Sequence, residues 1–134
     1  MSDTLTVRLK ALTDLGRLRI LALNSVFGEL CVCEIAEILN LSVSKASRDL
    51  RDLEAAGWLA SRREGRWMHY RLASLDAAWA AAGERIIAIF AQTPQGGEDL
   101  KRCRMLLAKG RRAKCSTTLT TLETYYEQLD HSAK

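Results

Sequence analysis

Cys31 and Cys33 flank a single valine in the run Glu29-Leu30-Cys31-Val32-Cys33-Glu34. Thiolates are soft ligands, so a Cys-x-Cys pair suits trivalent arsenic or antimony, copper(I), zinc or cadmium. Two ligands rarely complete such a site. Cys103 and Cys115 are the other thiols that could join it, and a hydroxide or a small free thiol would serve equally well. The pair falls where a helix begins, and the positive end of that helix is expected to favour thiolate over thiol. Side chains two residues apart point to nearly opposite sides of a helix or a strand. One ion held by both cysteines must therefore unwind or bend the first turn. Thiol catalysis finds little support, since Glu29 and Glu34 are the only bases nearby and no Cys-x-x-Cys is present. Oxidation of the pair by peroxide stays open as a second use.

A different chemistry follows the cysteines. Ser42 is a good N-cap, and Val43, Ala46, Leu50 and Leu53 then recur at three- and four-residue steps as far as Gly57. The opposite face carries Ser44, Arg48 and Arg51, flanked by Lys45 and Ser47, so it is polar and basic. Such a helix fits the major groove of DNA, where an arginine can bond guanine with two hydrogen bonds and a serine can touch a base edge or phosphate. Beyond Gly57 the period changes to alternation. Trp58 to Arg63, a Glu64-Gly65 turn and Arg66 to Leu72 predict a hairpin, with Arg62, Arg63 and Arg66 near its tip in reach of phosphates.

These groups need a scaffold. Helical spacing from Leu5 to Phe27 predicts two helices, the second capped by Thr13, and Cys33 to Leu39 predicts a short third that Asn40-Leu41 ends. The stretch after Ser74, a plausible cap, predicts a long helix with Ala78 and Ala82 early and Ile86, Ile89 and Phe90 late. Its apolar face and that of the first helix, with Leu5 and Leu12, exceed what one small fold covers, so both are expected at a dimer interface. Thr93-Pro94-Gln95-Gly96-Gly97 breaks the pattern. The expected organisation is a DNA-binding and dimerisation domain over residues 1–92, then a basic extension over 93–134. Between Lys101 and Lys114 that extension carries seven cations and no acid, and Leu119, Leu122, Tyr125, Tyr126 and Leu129 predict a final amphipathic helix.

With 134 residues the chain suits one core, and 20 Lys and Arg against 16 Asp and Glu give a net charge of +4 and a pI near 9.0, which favours polyanionic partners. The N-terminal stretch is broken by Asp, Lys and Arg, so neither a signal peptide nor a span of ~20 apolar residues is expected there. The expected setting is the cytoplasm, with four reduced thiols.

Helix, tight turn, basic helix and basic-tipped hairpin together predict a winged helix-turn-helix, mainly α with a small β-hairpin, and dimeric. The stretch Gly28 to Ala73 resembles the ArsR/SmtB family of metal-responsive repressors, arsenic branch. Glu29 to Glu34, Leu41-Ser42-x-Ser44-x-x-Ser47-Arg48-x-Leu50 and Gly65-Arg66-Trp67-x-His69-Tyr70-Arg71-Leu72 carry that resemblance, which covers roughly residues 5 to 92. It implies a homodimer that binds double-stranded operator DNA and represses a resistance operon until trivalent arsenic or antimony binds. No organic cofactor, membrane partner or enzymatic activity is implied. The arsenic branch often has a third thiol one turn after the second, and here that position is Ala36. Histidines of the family's zinc site are absent from Asp76 to Gln92, while His69 is expected to pack within the wing.

Overall fold

The computed structural model of the chain describes residues 3–108. Helices α1 (Asp3–Ala11) and α2 (Leu15–Phe27) come first, joined by a short turn. Asp14, not Thr13, caps α2, and its carboxylate accepts from the Arg17 N–H at 3.0 Å. Thr13 instead donates its hydroxyl to Lys10 O at 2.7 Å and closes α1. Either side chain can accept at a helix start, so sequence alone missed the cap by one position.

Strand β1 (Leu30–Cys31) leads directly into α3 (Val32–Leu39), and α4 (Val43–Ala55) follows after Asn40 takes up a left-handed conformation at φ 58°. Strands β2 (Leu59–Glu64) and β3 (Trp67–Leu72) form the predicted hairpin, paired from Glu64 with Trp67 to Leu59 with Leu72. The sheet has a third strand that periodicity did not reveal. Leu30 pairs with Tyr70 and Cys31 with His69, giving the order β1-β3-β2. Helix α5 (Ala77–Ala91) is capped by Asp76, which accepts from Trp79 N–H at 3.0 Å, two residues later than the expected Ser74.

The core lies where α2, α3 and α4 meet the sheet, with Ile20, Leu21, Leu23, Ile35, Leu50 and Leu53 each at most 1% exposed. Trp58 closes it beside α5, edge-on to Trp79 at 5.7 Å, and donates its indole N–H to Arg8 O at 2.9 Å, which ties α1 down. No helix among the described residues is long and apolar enough to cross a membrane.

Past Ala91 the chain turns, as expected, but a helix starts at once. α6 (Pro94–Ala108) packs on α2, α5 and α3. Proline in a first turn forfeits no needed hydrogen bond. At Gly96 the two helices touch so closely that a Cβ would lie 2.0 Å from Phe90 O. The residues that read as breakers are thus the ones this tight turn requires. Arg19 grips Asp99 with Nε and Nη2 at 2.9 and 3.2 Å, and Gln95 adds a bond at 3.0 Å. Arg19 and Arg102 also donate to Leu39 O and Ile38 O, at 3.1 and 3.0 Å, in the last turn of α3. Cations there suit the negative end of the helix. The packed unit therefore runs past residue 92 through α6, whereas the predicted helix around Leu119 to Leu129 lies outside the described residues.

Candidate functional site

Cys31 ends β1 and caps α3, its N–H donating to Glu34 Oε1 at 2.9 Å. Its side chain is 1% exposed. Burial, then the charge of Glu34, pushes its thiol up to about 12. This overturns the expectation that the helix dipole makes it a ready thiolate, because loss of water outweighs the partial charge of one helix end. Cys33 lies one turn-step on, also buried, and is disulfide-bonded, against the expectation of four reduced thiols. Cys103 is a free thiol with no exposure, sealed between α6 and the core. Burial, then Asp99, pushes it up to about 11. Cys115 lies outside the described residues. Among the described residues no three Cys, His, Asp or Glu side chains converge as a ready metal site. Cys31 and Cys33 therefore stand as two soft donors without a third convergent ligand among the described residues. His69, opposite Cys31 on β3 and 2% exposed, packs inside the wing with Nε2 3.7 Å from Glu64 Oε1.

The raised thiols set an alkaline limit. In both cases the folded state holds the proton more tightly than the ordinary value of 9.0. Their stability contribution is complete below pH 9 and is lost as pH rises towards 11 and 12. Denaturant titration from pH 8 to 11 is expected to show wild type losing on the order of 2 kcal/mol more than Cys103→Ala. Parallel losses in the two proteins would contradict this.

The second constellation lies on α4 and the wing. Ser42 accepts from Lys45 N–H at 3.0 Å, so the predicted cap forms. Ser44, Arg48 and Arg51 face solvent, with Lys45 and Ser47 half-buried beside them. Two residues differ from the periodic reading. Val43, placed in the buried stripe, is 47% exposed, because it is the first residue of α4 and borders an open groove. Asp49, a carboxylate outside the apolar stripe, is 2% exposed and bonds Lys45 at 3.0 Å. Its carboxylate abuts the first turn of α2 so closely that a Cβ on Gly16 would fall 2.8 Å from Oδ2. Negative charge is favourable at that helix end. Asp49 therefore fixes α4 against α2, and a glycine at the second helical position was its only trace in the sequence.

On the wing, Arg63 and Arg66 are exposed, while Arg62 bonds Glu29 at 2.7 and 3.0 Å and Glu64 at 3.0 Å. The hydrogen bond from Arg62 holds the Glu29 carboxyl below its usual range. A groove of about 390 Å³ separates α4 from the wing, and Cys33, Val43, Ser47, Arg66, Trp67 and Met68 line it. One of the candidate sensing cysteines thus borders the same cleft as the basic face. Cys103 does not.

Of the candidate dimer residues, Leu5 and Ile89 are 56% and 67% exposed on α1 and α5. Ala78 is exposed, and Ala82 and Ile86 are half-buried. Leu12 and Phe90, at 8% and 6%, are buried within the protomer itself, so little of either is left to offer a partner.

Comparison with known proteins gives concordant results. Residues 14–61 match the family described as bacterial regulatory protein, arsR family. The chain is 46% identical over 82 residues to the arsenical resistance operon repressor of Escherichia coli K12, a match covering 60% of this chain and 70% of that one. It is 49% identical over 63 residues to the arsenic resistance transcriptional regulator ArsR1 of Pseudomonas putida, covering 47% of this chain and 49% of that one. The homodimeric winged helix-turn-helix DNA-binding domain from Mycobacterium bovis superposes with a TM-score of 0.57 at 33% identity, over 68% of this chain and 83% of that one. The fold is a winged helix-turn-helix, and the chain belongs to the ArsR family of DNA-binding transcriptional repressors.

Proposed function

We propose that the chain is a homodimeric cytoplasmic repressor that releases its operator when Cys31 and Cys33 take up trivalent arsenic or antimony. The observation that carries this reading is the position of the pair. Cys31 and Cys33 begin α3, α3 packs against α4, and α4 carries Ser44, Arg48 and Arg51 on its open face. The similarity to two repressors or regulators of arsenic resistance supports the same inducer. Once a dithiol reductant has converted the Cys33 disulfide to the thiol, a two-electron step, each cysteine thiol forms a sulfur–arsenic bond with arsenous acid as one water leaves, with no further change of oxidation state. Two such bonds leave one hydroxide on arsenic, which fits a chain with Ala36 one turn after Cys33.

Bridging both sulfurs requires Cys31 to leave its pairing with β3 or the first turn of α3 to open. Either movement displaces the support of α4. The exposed faces of α1 and α5 around Leu5 and Ile89 hold the second copy, setting half-sites about 34 Å apart or a multiple of it. The bond at Cys33 favours a second reading, in which oxidation controls DNA binding.

Fluorescence anisotropy with a duplex selected from a random pool separates the two. After reduction by a dithiol, arsenite or antimonite is expected to weaken binding about 10- to 100-fold, the usual range of such coupling. Release by peroxide alone, reversed by dithiol, would support the oxidation reading, and indifference to all three reagents would rule out both.

A further inference from the structure

Val43 is an exposed β-branched apolar residue in the first turn of α4, the part of a recognition helix that enters the major groove. It lies one helical turn before Ser47, so the two share an edge of the helix. That edge faces the wing across the groove lined by Val43, Ser47, Arg66, Trp67 and Met68. Ser44 and Arg48, both exposed, are its neighbours on the open face. Val43 therefore has Val32, Cys33, Trp67 and Met68 across the groove on one side and Ser44, Ser47 and Arg48 on the open face of α4 on the other.

Among the base pairs, only those with thymine present a methyl group in the major groove, next to the O4 acceptor, and apolar side chains recognise it by contact. We infer that Val43 reads a thymine methyl group in each half-site, with the Ser47 hydroxyl placed to donate to a neighbouring base-edge acceptor. The groove accounts for part of the Val43 side chain, and the 47% that stays exposed is the part offered to a base. It rests on α4 being the DNA-reading helix and is independent of which inducer the cysteines take.

The test uses the full chain and duplexes it selects from a random pool, with thymines replaced one at a time by deoxyuridine, which pairs identically and lacks the methyl. Wild type is expected to lose about fourfold in affinity at one thymine per half-site, the worth of one buried methyl. Val43→Ala is expected to bind the two duplexes equally, and Val43→Thr, which keeps a γ-methyl, to retain part of the preference. The inference is overturned if no thymine shows a methyl effect, or if Val43→Ala keeps it in full. Arg48→Ala locates any failure. If it weakens both duplexes alike, α4 is still the reading helix and only the methyl contact is wrong; if it changes neither, the DNA face itself is misplaced.

Discussion

Replacing Cys31 by alanine or Cys33 by serine is expected to abolish arsenite-driven release of DNA, a loss of the whole 10- to 100-fold response. The replacements differ for a physical reason. Cys31 is 1% exposed and its side chain accepts from the Glu34 N–H in the capping box of α3, where a serine oxygen would take the sulfur's place and hold the first turn closed, so alanine is the cleaner probe. Cys33 lies on the groove wall, where serine has water within reach. Affinity for DNA without arsenite should stay within about twofold for Cys33→Ser, since coupling and not contact is removed. Anisotropy titrations on the reduced proteins give the result directly. If either variant leaves the duplex at the arsenite concentration that releases wild type, the site lies elsewhere.

Asp99→Ala is expected to cost about 3 kcal/mol in urea unfolding, the low end of the range for stripping one partner from a buried ion pair. Arg19, with a side chain 15% exposed, would keep its charge and lose both bonds to Asp99. The same change should loosen α6, so Cys103, fully covered in the wild type, becomes reactive towards a maleimide under native conditions. Replacing both partners together, Arg19→Met with Asp99→Leu, should cost less than Asp99→Ala alone, because no uncompensated charge remains. A change under about 1 kcal/mol with Cys103 still protected would show that the pair contributes little.

Much of this fold could be read from local signals. α4 announced itself through Ser42 and the spacing of Ala46, Leu50 and Leu53, and the hairpin through alternation about Gly65. Features that depend on distant parts of the chain could not be read in that way. β1 is two residues long and exists only because Tyr70 and His69 pair with it. Asp49 looks like a surface acid until α2 is placed beside it. α6 was hidden because Pro94 and Gly96 are breakers in isolation and become helix-starting and close-packing residues only against Phe90. For the site, residue types were visible and their environment was not. The sequence placed Cys31 near a helix end, but its high pKa follows from the covering of strand and core around it.

The engagement of Arg62 with Glu29 and Glu64 changes how the wing meets a polyanion. A phosphate approaching Arg62 meets a cation already neutralised within the protein, so contact there exchanges one anion for another and releases few ions to solution. Arg63 and Arg66 have no such carboxylate partner among the described residues and would contribute the ordinary ionic-strength dependence. The wing thus divides its arginines between two duties. Arg62 ties the segment before β1 to the hairpin through Glu29, and Arg63 and Arg66 are left to meet a polyanion by charge. Charge spent inside the wing holds its shape, and charge left outside it sets how steeply binding to a polyanion falls with salt.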